Sequence, residues 1–216
     1  MDSRRAITPQ FATRITAEKR AEQPVTIENE GNLMQEVRQT FNSWISQTIR
    51  LKKGAKHVEF DWIIGPVPKE PKNPITKEVI TRYITDIKNA DVFYTDSNGR
   101  QMMRRQKKFN PSYKYVDSEP VSGNYYPVTN RVFMKDDKLQ LTVLTDRAEG
   151  TTVIDGGLEL MLHRRCFADD HWGVDEALDE PGNGNGLVAR GTHYILLGNP
   201  KVEFIALTNG HSRVSA

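Results

Sequence analysis

The chain has 216 residues, of which 37% are hydrophobic and 27% are charged, enough for one large domain or two small ones with a buried core. Its 30 basic and 28 acidic side chains nearly cancel, so no net charge attracts it to nucleic acid or anionic lipid. No apolar run reaches the roughly 18 residues that a membrane-spanning helix needs. We therefore expect a polar protein with neither nucleic acid nor a membrane as partner.

Cysteine content and the amino-terminal residues bear on the compartment. Cys166 is the single cysteine, so no disulfide can form within the chain, and its apolar strand context predicts a small buried residue rather than a nucleophile. The first five residues, MDSRR, lack the apolar segment of a signal peptide, and no N-glycosylation sequon occurs. Taken alone, these features describe a cytosolic protein or an incomplete one.

The first half of the chain changes from irregular sequence to strands. Residues 1–24 are charged, show little periodicity and are predicted to form a loose leader. From about residue 25, apolar residues recur with the period of two that is typical of strands with one buried face. Four prolines between residues 65 and 74 predict a loop, and Asn98-Gly99 predicts a tight turn. The strands predicted here span residues 44–51, 57–63, 78–84 and 91–94.

The second half continues the pattern. Residues 125–135 and 139–146 are predicted to form a hairpin joined by residues 136–138, and residues 181–186 read as a loop. Further strands are predicted at residues 158–163, 188–198 and 202–207. About ten short strands with no long helical period predict an all-β antiparallel sandwich with long loops, covering residues 25–216.

Candidate binding residues are few. The basic run at residues 104–108 has aromatic residues only at its flanks, which favours a solvated strand face over a nucleic-acid surface. His163 and His171 could approach a metal ion together with Asp169 or Asp170, but no His or Cys pair has the spacing of a metal site. We favour an acidic turn with a capping Asp side chain. We therefore expect no metal site and no catalytic residue within this chain.

His163-Arg164-Arg165 is the most suggestive group of polar residues. Successive side chains of a strand alternate between its faces, so one of the two arginines should point toward the core side or an interface. A guanidinium there needs hydrogen-bond acceptors. One interpretation is an internal ion pair with Asp146, Asp169 or Asp170. The other is an arginine that reaches a neighbouring polar pocket.

Several segments resemble the C-terminal β region of glycoside hydrolase family 38, in particular the lysosomal type of α-mannosidase. The resemblance runs in order from about residue 25 to residue 198, and its motifs are specific to the family although mostly structural. The segments that carry it are QEVRQTF at 35–41, FYTDSNGR at 93–100, GNYYPVT at 123–129, LTVLTDR at 141–147 and DGGLELMLHRR at 155–165, with Asp169, Asp170 and Gly173.

The resemblance implies a zinc-dependent, retaining exo-mannosidase that removes terminal α-mannose from N-glycans and works in the lysosome. The family's nucleophile, acid/base and zinc ligands lie in an upstream region, and none of their motifs occurs here, so zinc is implied for the full-length enzyme only. One family pocket residue, an arginine of this strand, falls on Arg164 or Arg165. These two are the predicted substrate-binding residues.

Two hypotheses follow. The first is a partial α-mannosidase, a β-sandwich module that meets its α-mannoside or N-glycan substrate through the missing catalytic domain and is inactive alone. The second is a stand-alone carbohydrate-binding or interaction module without catalysis. Departures from the family are the missing signal peptide, the missing sequons and the sequence after Pro200.

Overall fold

A computed structural model describes residues 8–13, 26–169, 171, 173 and 175–200. These residues form fourteen strands and one 3-10 turn, Ser122–Asn124. The strands are β1 Thr8–Thr13, β2 Thr26–Glu30, β3 Met34–Asn42, β4 Ile45–Lys52, β5 Val58–Ile64, β6 Lys77–Ile84, β7 Val92–Ser97, β8 Gln101–Gln106, β9 Tyr126–Val128, β10 Arg131–Lys135, β11 Gln140–Thr145, β12 Glu149–Ile154, β13 Gly157–Arg165 and β14 Ala189–Gly198.

The strands make two antiparallel sheets. One has five strands in the order β1-β6-β13-β12-β9, and the other has nine in the order β2-β3-β4-β5-β14-β11-β10-β7-β8. The prediction of an all-β antiparallel sandwich is confirmed. Within the described residues, no helix is both long and apolar enough to cross a membrane.

The core lies between the two sheets, because each strand buries alternate side chains. β5 shows the pattern: Phe60, Trp62 and Ile64 are buried, while Ile63 between them is exposed. Phe60 meets Tyr83 of the other sheet edge to face, with ring centroids 5.5 Å apart. The other buried apolar side chains include Phe93, Val132, Met134, Leu141, Val143, Val153, Leu158, Leu160 and Ile195.

One predicted strand is wrong. The continuous strand expected at residues 125–135 is two strands: β9 pairs with β12 in one sheet, and β10 pairs with β7 and β11 in the other. The change of sheet occurs at Thr129 and Asn130, whose backbone N–H groups donate to the Asp96 carboxylate at 2.9 and 3.0 Å. A side-chain acceptor therefore satisfies the backbone where the ladder is interrupted. The predicted connection at residues 136–138 does join β10 to β11.

The amino-terminal segment contains a strand. β1 lies within residues 1–24, where a loose leader was predicted, and pairs with β6 from Val79 to Ile84. This part of the segment therefore belongs to the five-stranded sheet. The rest of residues 1–24, like the strand predicted at 202–207, lies outside the described residues, and the boundary at residue 24 stays a prediction.

Candidate functional site

The end of β13 places Arg164 and Arg165 on opposite faces of the five-stranded sheet. A bulge between Met161 and His163 shifts the register, and beyond it Arg164 lies opposite Glu78 of β6 and Arg165 opposite Lys77. The alternation predicted from the sequence is present: Arg164 is exposed, whereas the Arg165 side chain is only 12% exposed. The two candidates therefore have different surroundings.

Arg165 is committed to internal contacts. Its Nε donates to Asp179 Oδ1 at 2.6 Å, and its Nη1 donates to the carbonyl oxygens of Val67 at 2.7 Å and Asn185 at 3.0 Å. The guanidinium lies 5.6 Å from the centre of the Phe167 ring. Arg165 thus joins the loop after β5 and the loop before β14 to the end of β13, a use that suits the fixed fork of donors on arginine.

The carboxylate that holds Arg165 was not among the predicted partners. Asp146 pairs with Arg147 at 3.1 Å, and the partner of Arg165 is Asp179. Lys69 and Arg165, in that order, hold the pKa of Asp179 below its usual range. No local pattern indicates this pair, since Arg165 and Asp179 are 14 positions apart along irregular sequence.

The loop before β14 fits closely over Arg165. Gly186 has a φ of +107°, and a Cβ atom there would lie 2.8 Å from Arg165 Nη1. A larger residue would therefore be strained and would also displace the guanidinium.

Arg164 is available to a ligand. No hydrogen bond or ion pair joins its guanidinium to any other residue that the structure describes. It borders a shallow depression in the surface with room for about one water molecule. Burial lowers the pKa of His163, one of the lining residues, so this ring is neutral near pH 7. The depression is lined by Val67, His163, Arg164, Arg165, Leu178, Glu180 and Leu187.

A small group of possible metal ligands lies beyond β13. Ligand atoms of Asp169, His171 and Asp175 all lie within 4.8 Å of one another, so His171 and Asp169 do approach each other, while His163 is not in the group. The His171 side chain is 88% exposed, and Asp169 accepts a hydrogen bond from the His171 backbone N–H at 2.7 Å. Asp170 lies outside the described residues.

This group does not fit the zinc that the resemblance implies. A zinc histidine usually donates its second ring N–H to a carboxylate or carbonyl that orients it. Among the residues that the structure describes, the exposed His171 ring pairs with Asp169 alone, at 3.3 Å, and that carboxylate would itself be a ligand. The Asp169 carboxylate accepts the backbone N–H of His171, as an Asp side chain in a turn does.

The surroundings of Cys166 and of the basic run at residues 104–108 indicate structural roles. Burial raises the pKa of the Cys166 thiol, which disfavours the thiolate that a nucleophile requires. In the run at residues 104–108, Arg105 donates to Thr95 Oγ1 at 3.1 Å and lies over the Tyr126 ring. Lys108 pairs with Asp117 at 2.8 Å.

Sequence reasoning missed a buried polar cluster between the sheets. His193 Nε2 lies 3.0 Å from both oxygens of Glu149, and its Nδ1 lies 2.8 Å from the Tyr83 hydroxyl. The three side chains are at most 2% exposed, so they bind one another rather than a ligand. The alternation of β14 could have indicated this cluster, because it places His193 on the same face as Ile195.

Comparison with known proteins identifies the family of this chain. The model of the glycosyl hydrolases family 38 C-terminal domain matches residues 7–172, so the match takes in part of the segment predicted to be a leader. Lysosomal alpha-mannosidase of Cavia porcellus is 49% identical over 166 residues, which cover 76% of this chain and 16% of that protein. The corresponding protein of Homo sapiens is 48% identical, with the same coverage. The alpha-mannosidase of Canavalia ensiformis is 43% identical over 183 residues.

The fold agrees with a solved relative. The crystal structure of an alpha-mannosidase from Enterococcus faecalis V583 superposes with a TM-score of 0.63 over 90% of this chain and 26% of that one, at 12% sequence identity. The chain thus spans about a sixth of the length of the lysosomal relatives. It belongs to glycosyl hydrolase family 38 and corresponds to the C-terminal domain of that family.

Proposed function

We propose that this chain is the β-sandwich part of an α-mannosidase that hydrolyses terminal α-mannose of N-glycans by the zinc-dependent retaining mechanism. The observation that carries the proposal is the identity to lysosomal α-mannosidases along 166 residues. Because those relatives bear the word lysosomal in their names, a lysosomal location is part of the proposal.

Arg164 is the residue that we propose meets the sugar. Arg165 is occupied by Asp179 and two carbonyl oxygens, so turning it to a ligand would leave three acceptors without their donor. Arg164 is exposed and forms no such bond with the described residues. Its guanidinium offers five N–H donors to hydroxyl groups and cannot lose its charge. The role predicted for either arginine is therefore assigned to Arg164.

We propose that the chain alone does not hydrolyse mannosides. A retaining glycosidase needs a carboxylate nucleophile and a carboxylic acid on either side of the glycosidic bond. Zinc, when bound, would coordinate sugar hydroxyls as a Lewis acid. Since the group of Asp169, His171 and Asp175 does not fit that ion, we place the zinc ligands and both carboxylates in other parts of the full-length enzyme.

The purified chain tests this division of roles. Incubated with a chromogenic α-mannoside and zinc, it should release no product above the buffer control. Turnover that a chelator abolishes would show that the chain carries its own active site. Measurable binding of mannose-type glycans by a monodisperse sample would favour the stand-alone carbohydrate-binding module instead.

Arg164→Ala separates substrate binding from folding. In the full-length enzyme we expect kcat/KM to fall roughly 10- to 100-fold, because one hydrogen-bonding charge is removed from the sugar. The unfolding free energy of the isolated chain should change by less than about 0.5 kcal/mol, as is usual at exposed sites. Arg104→Ala, at an exposed arginine of β8, is the matched control and should change neither quantity. Unaltered kcat/KM in Arg164→Ala would contradict the assignment.

A further inference from the structure

Asn-Gly pairs are the places where a protein chain most readily deamidates, because glycine leaves its backbone nitrogen accessible to the asparagine side chain. Four such pairs occur in the sequence. Three of them lie within the described residues, and their asparagines, Asn98, Asn183 and Asn185, are all exposed. The fourth, Asn209-Gly210, lies outside the described residues. Since glycine follows each asparagine, the local sequence by itself predicts similar reactivity for the three described pairs.

The reaction takes place within the peptide unit that joins the asparagine to the glycine. The glycine N–H loses its proton, the nitrogen bonds to the asparagine Cγ, and the bond from Cγ to Nδ2 breaks. The proton passes by way of water to Nδ2, which leaves as ammonia, and a succinimide ring remains. Water then opens the ring. Addition at Cγ gives aspartate, whereas addition at the backbone carbonyl carbon gives isoaspartate, in which the chain continues through Cγ. Groups bound to this N–H and this carbonyl therefore control the rate and the product.

The surroundings of Asn98 oppose the first step. The Gly99 N–H donates to Asp96 Oδ2 at 2.7 Å. Loss of its proton would place a negative charge on nitrogen directly beside a carboxylate, and like charges at that distance repel. The backbone N–H groups of residues 129–131 hold the same carboxylate in place. Asp96 therefore protects Asn98 from deamidation.

Asn183 and Asn185 form a matched pair in the loop before β14. In both, the N–H of the following glycine donates to the carbonyl oxygen of Pro181, at 2.8 and 2.9 Å, so ionisation breaks a hydrogen bond to the same neutral acceptor. The carbonyl groups differ. Asn185 O accepts from Arg165 Nη1 at 3.0 Å, whereas no side chain in the described part of the protein donates to Asn183 O. The contact with Arg165 thus distinguishes the two sites.

We propose that Asn185 is a site of spontaneous deamidation that is promoted by Arg165 and yields mainly isoaspartate. A guanidinium that donates to a carbonyl oxygen stabilises the negative charge that spreads onto this oxygen when the adjoining Gly186 N–H ionises. It also polarises the carbonyl carbon where water must add to give isoaspartate. The Arg165 side chain is only 12% exposed, so water screens its charge little. Asp179 is bound through Nε, which leaves Nη1 for carbonyl oxygens.

The product changes the loop that lines the depression beside Arg164. Isoaspartate lengthens the backbone by one methylene group and turns the carbonyl of residue 185 into a carboxylate that faces Arg165. Gly186 packs so closely on the Arg165 guanidinium that a Cβ atom there would lie 2.8 Å from Nη1. The longer backbone therefore displaces the loop, including Leu187 of the depression.

Peptide mapping of the purified 216-residue chain measures the reaction at each asparagine separately. The chain is incubated at mildly alkaline pH in native buffer and in urea, and mass spectrometry after digestion quantifies succinimide, aspartate and isoaspartate. In urea, where the contacts are lost, we expect nearly equal rates at the three sites. In native buffer Asn185 should react about tenfold faster than Asn183, the difference between a charge-assisted and a neutral hydrogen bond. Asn98 should react slowest, and the isoaspartate share should be larger at Asn185 than at Asn183.

Variants of Arg165 separate its charge from its structural role. Arg165→Gln keeps an N–H donor without the charge, so the ratio of the Asn185 rate to the Asn183 rate should fall to about one. Arg165→Lys keeps the charge and should retain a ratio above one. The ratio is the readout because a general loosening of the loop changes both rates together. Asn185→Gln should abolish the modification at this position, since glutamine cannot form the five-membered ring.

Three results would overturn the proposal. One is a native chain in which Asn185 stays intact or reacts no faster than Asn183. Another is a ratio that Arg165→Gln leaves unchanged. The third is a ratio that falls to one in Arg165→Lys as well as in Arg165→Gln, because the charge of Arg165 would then have no part in the reaction.

Discussion

Asp96→Ala should lower the unfolding free energy by about 3–5 kcal/mol, because several donors lose their acceptor and each buried group left unsatisfied costs about 1–3 kcal/mol. The Asp96 carboxylate accepts the backbone N–H groups of Gly99, Thr129, Asn130 and Arg131 at 2.7–3.0 Å and also the Thr129 hydroxyl. Alanine would leave these donors without a protein partner at the point where the chain changes sheets. Stability of 5–15 kcal/mol is usual for a domain, so such a loss is a large fraction of it.

The contribution of Asp96 should depend on pH. Burial alone would raise the pKa of Asp96, but hydrogen bonds from Asn130, Thr129, Arg131 and Gly99 outweigh it and hold that pKa well below its usual range. The unfolded chain therefore takes up the proton first, at about pH 3.9. The stabilisation is complete above that pH and is lost as pH falls through the lower folded-state value.

Urea unfolding of wild type and Asp96→Asn between pH 2 and 7 (roughly the range in which carboxyl groups titrate) measures this effect. The difference in unfolding free energy should be constant above about pH 5 and should shrink toward acid. Asp146→Ala removes a more exposed carboxylate paired with Arg147 and should cost less than about 1 kcal/mol at any pH. A pH-independent difference for Asp96→Asn would contradict the explanation.

Glu149→Ala should cost about 3–5 kcal/mol as well. It removes the acceptor of His193 and leaves an N–H group of a fully buried ring unpaired between the sheets. Trp62 and Tyr83 pack edge to face on that ring, at centroid distances of 6.1 and 5.8 Å. These neighbours prevent the ring from turning to water, so the desolvation cost remains.

Glu149→Gln is the matched variant. Its amide oxygen can still accept from His193, so we expect it to retain at least half of the stability that Glu149→Ala loses. Equilibrium unfolding is followed by tryptophan fluorescence, to which Trp62 contributes together with the other two tryptophans of the chain. An alanine variant within about 1 kcal/mol of wild type would show that water replaces the carboxylate in the core.

Local pattern predicted most strands because period-two burial is a property of each strand by itself. Residues 44–51 and 57–63 became β4 and β5 within one residue at each end. Asn98 and Gly99 have positive φ values of 51° and 71°, which the turn chemistry of the two residues predicts. The same reasoning failed at residues 125–135, since alternation continues through Thr129 and Asn130 while the hydrogen-bond partners change sheet.

The candidate site shows the same limit. Alternation predicted that Arg164 and Arg165 face opposite ways, and the structure confirms it. Which arginine is free depended on Asp179, Val67 and Asn185, and loops of irregular sequence bring these three to one guanidinium. Loop positions follow from the packing of the strands that they connect, so no local pattern indicates them.

The sequence by itself determined the all-β class and the family, because strand period and family motifs lie in short stretches of neighbouring residues. It also predicted Arg164 or Arg165 as the substrate-binding residue. Only the tertiary structure decided that Asp96 holds the crossing between sheets and that Glu149, His193 and Tyr83 bind one another. It also decided that the Arg165 guanidinium is bound by Asp179, Val67 and Asn185, while the Arg164 guanidinium has no hydrogen bond or ion pair with the described residues. These depend on side chains tens of residues apart meeting in a buried space, where an unpaired polar group is too costly to remain.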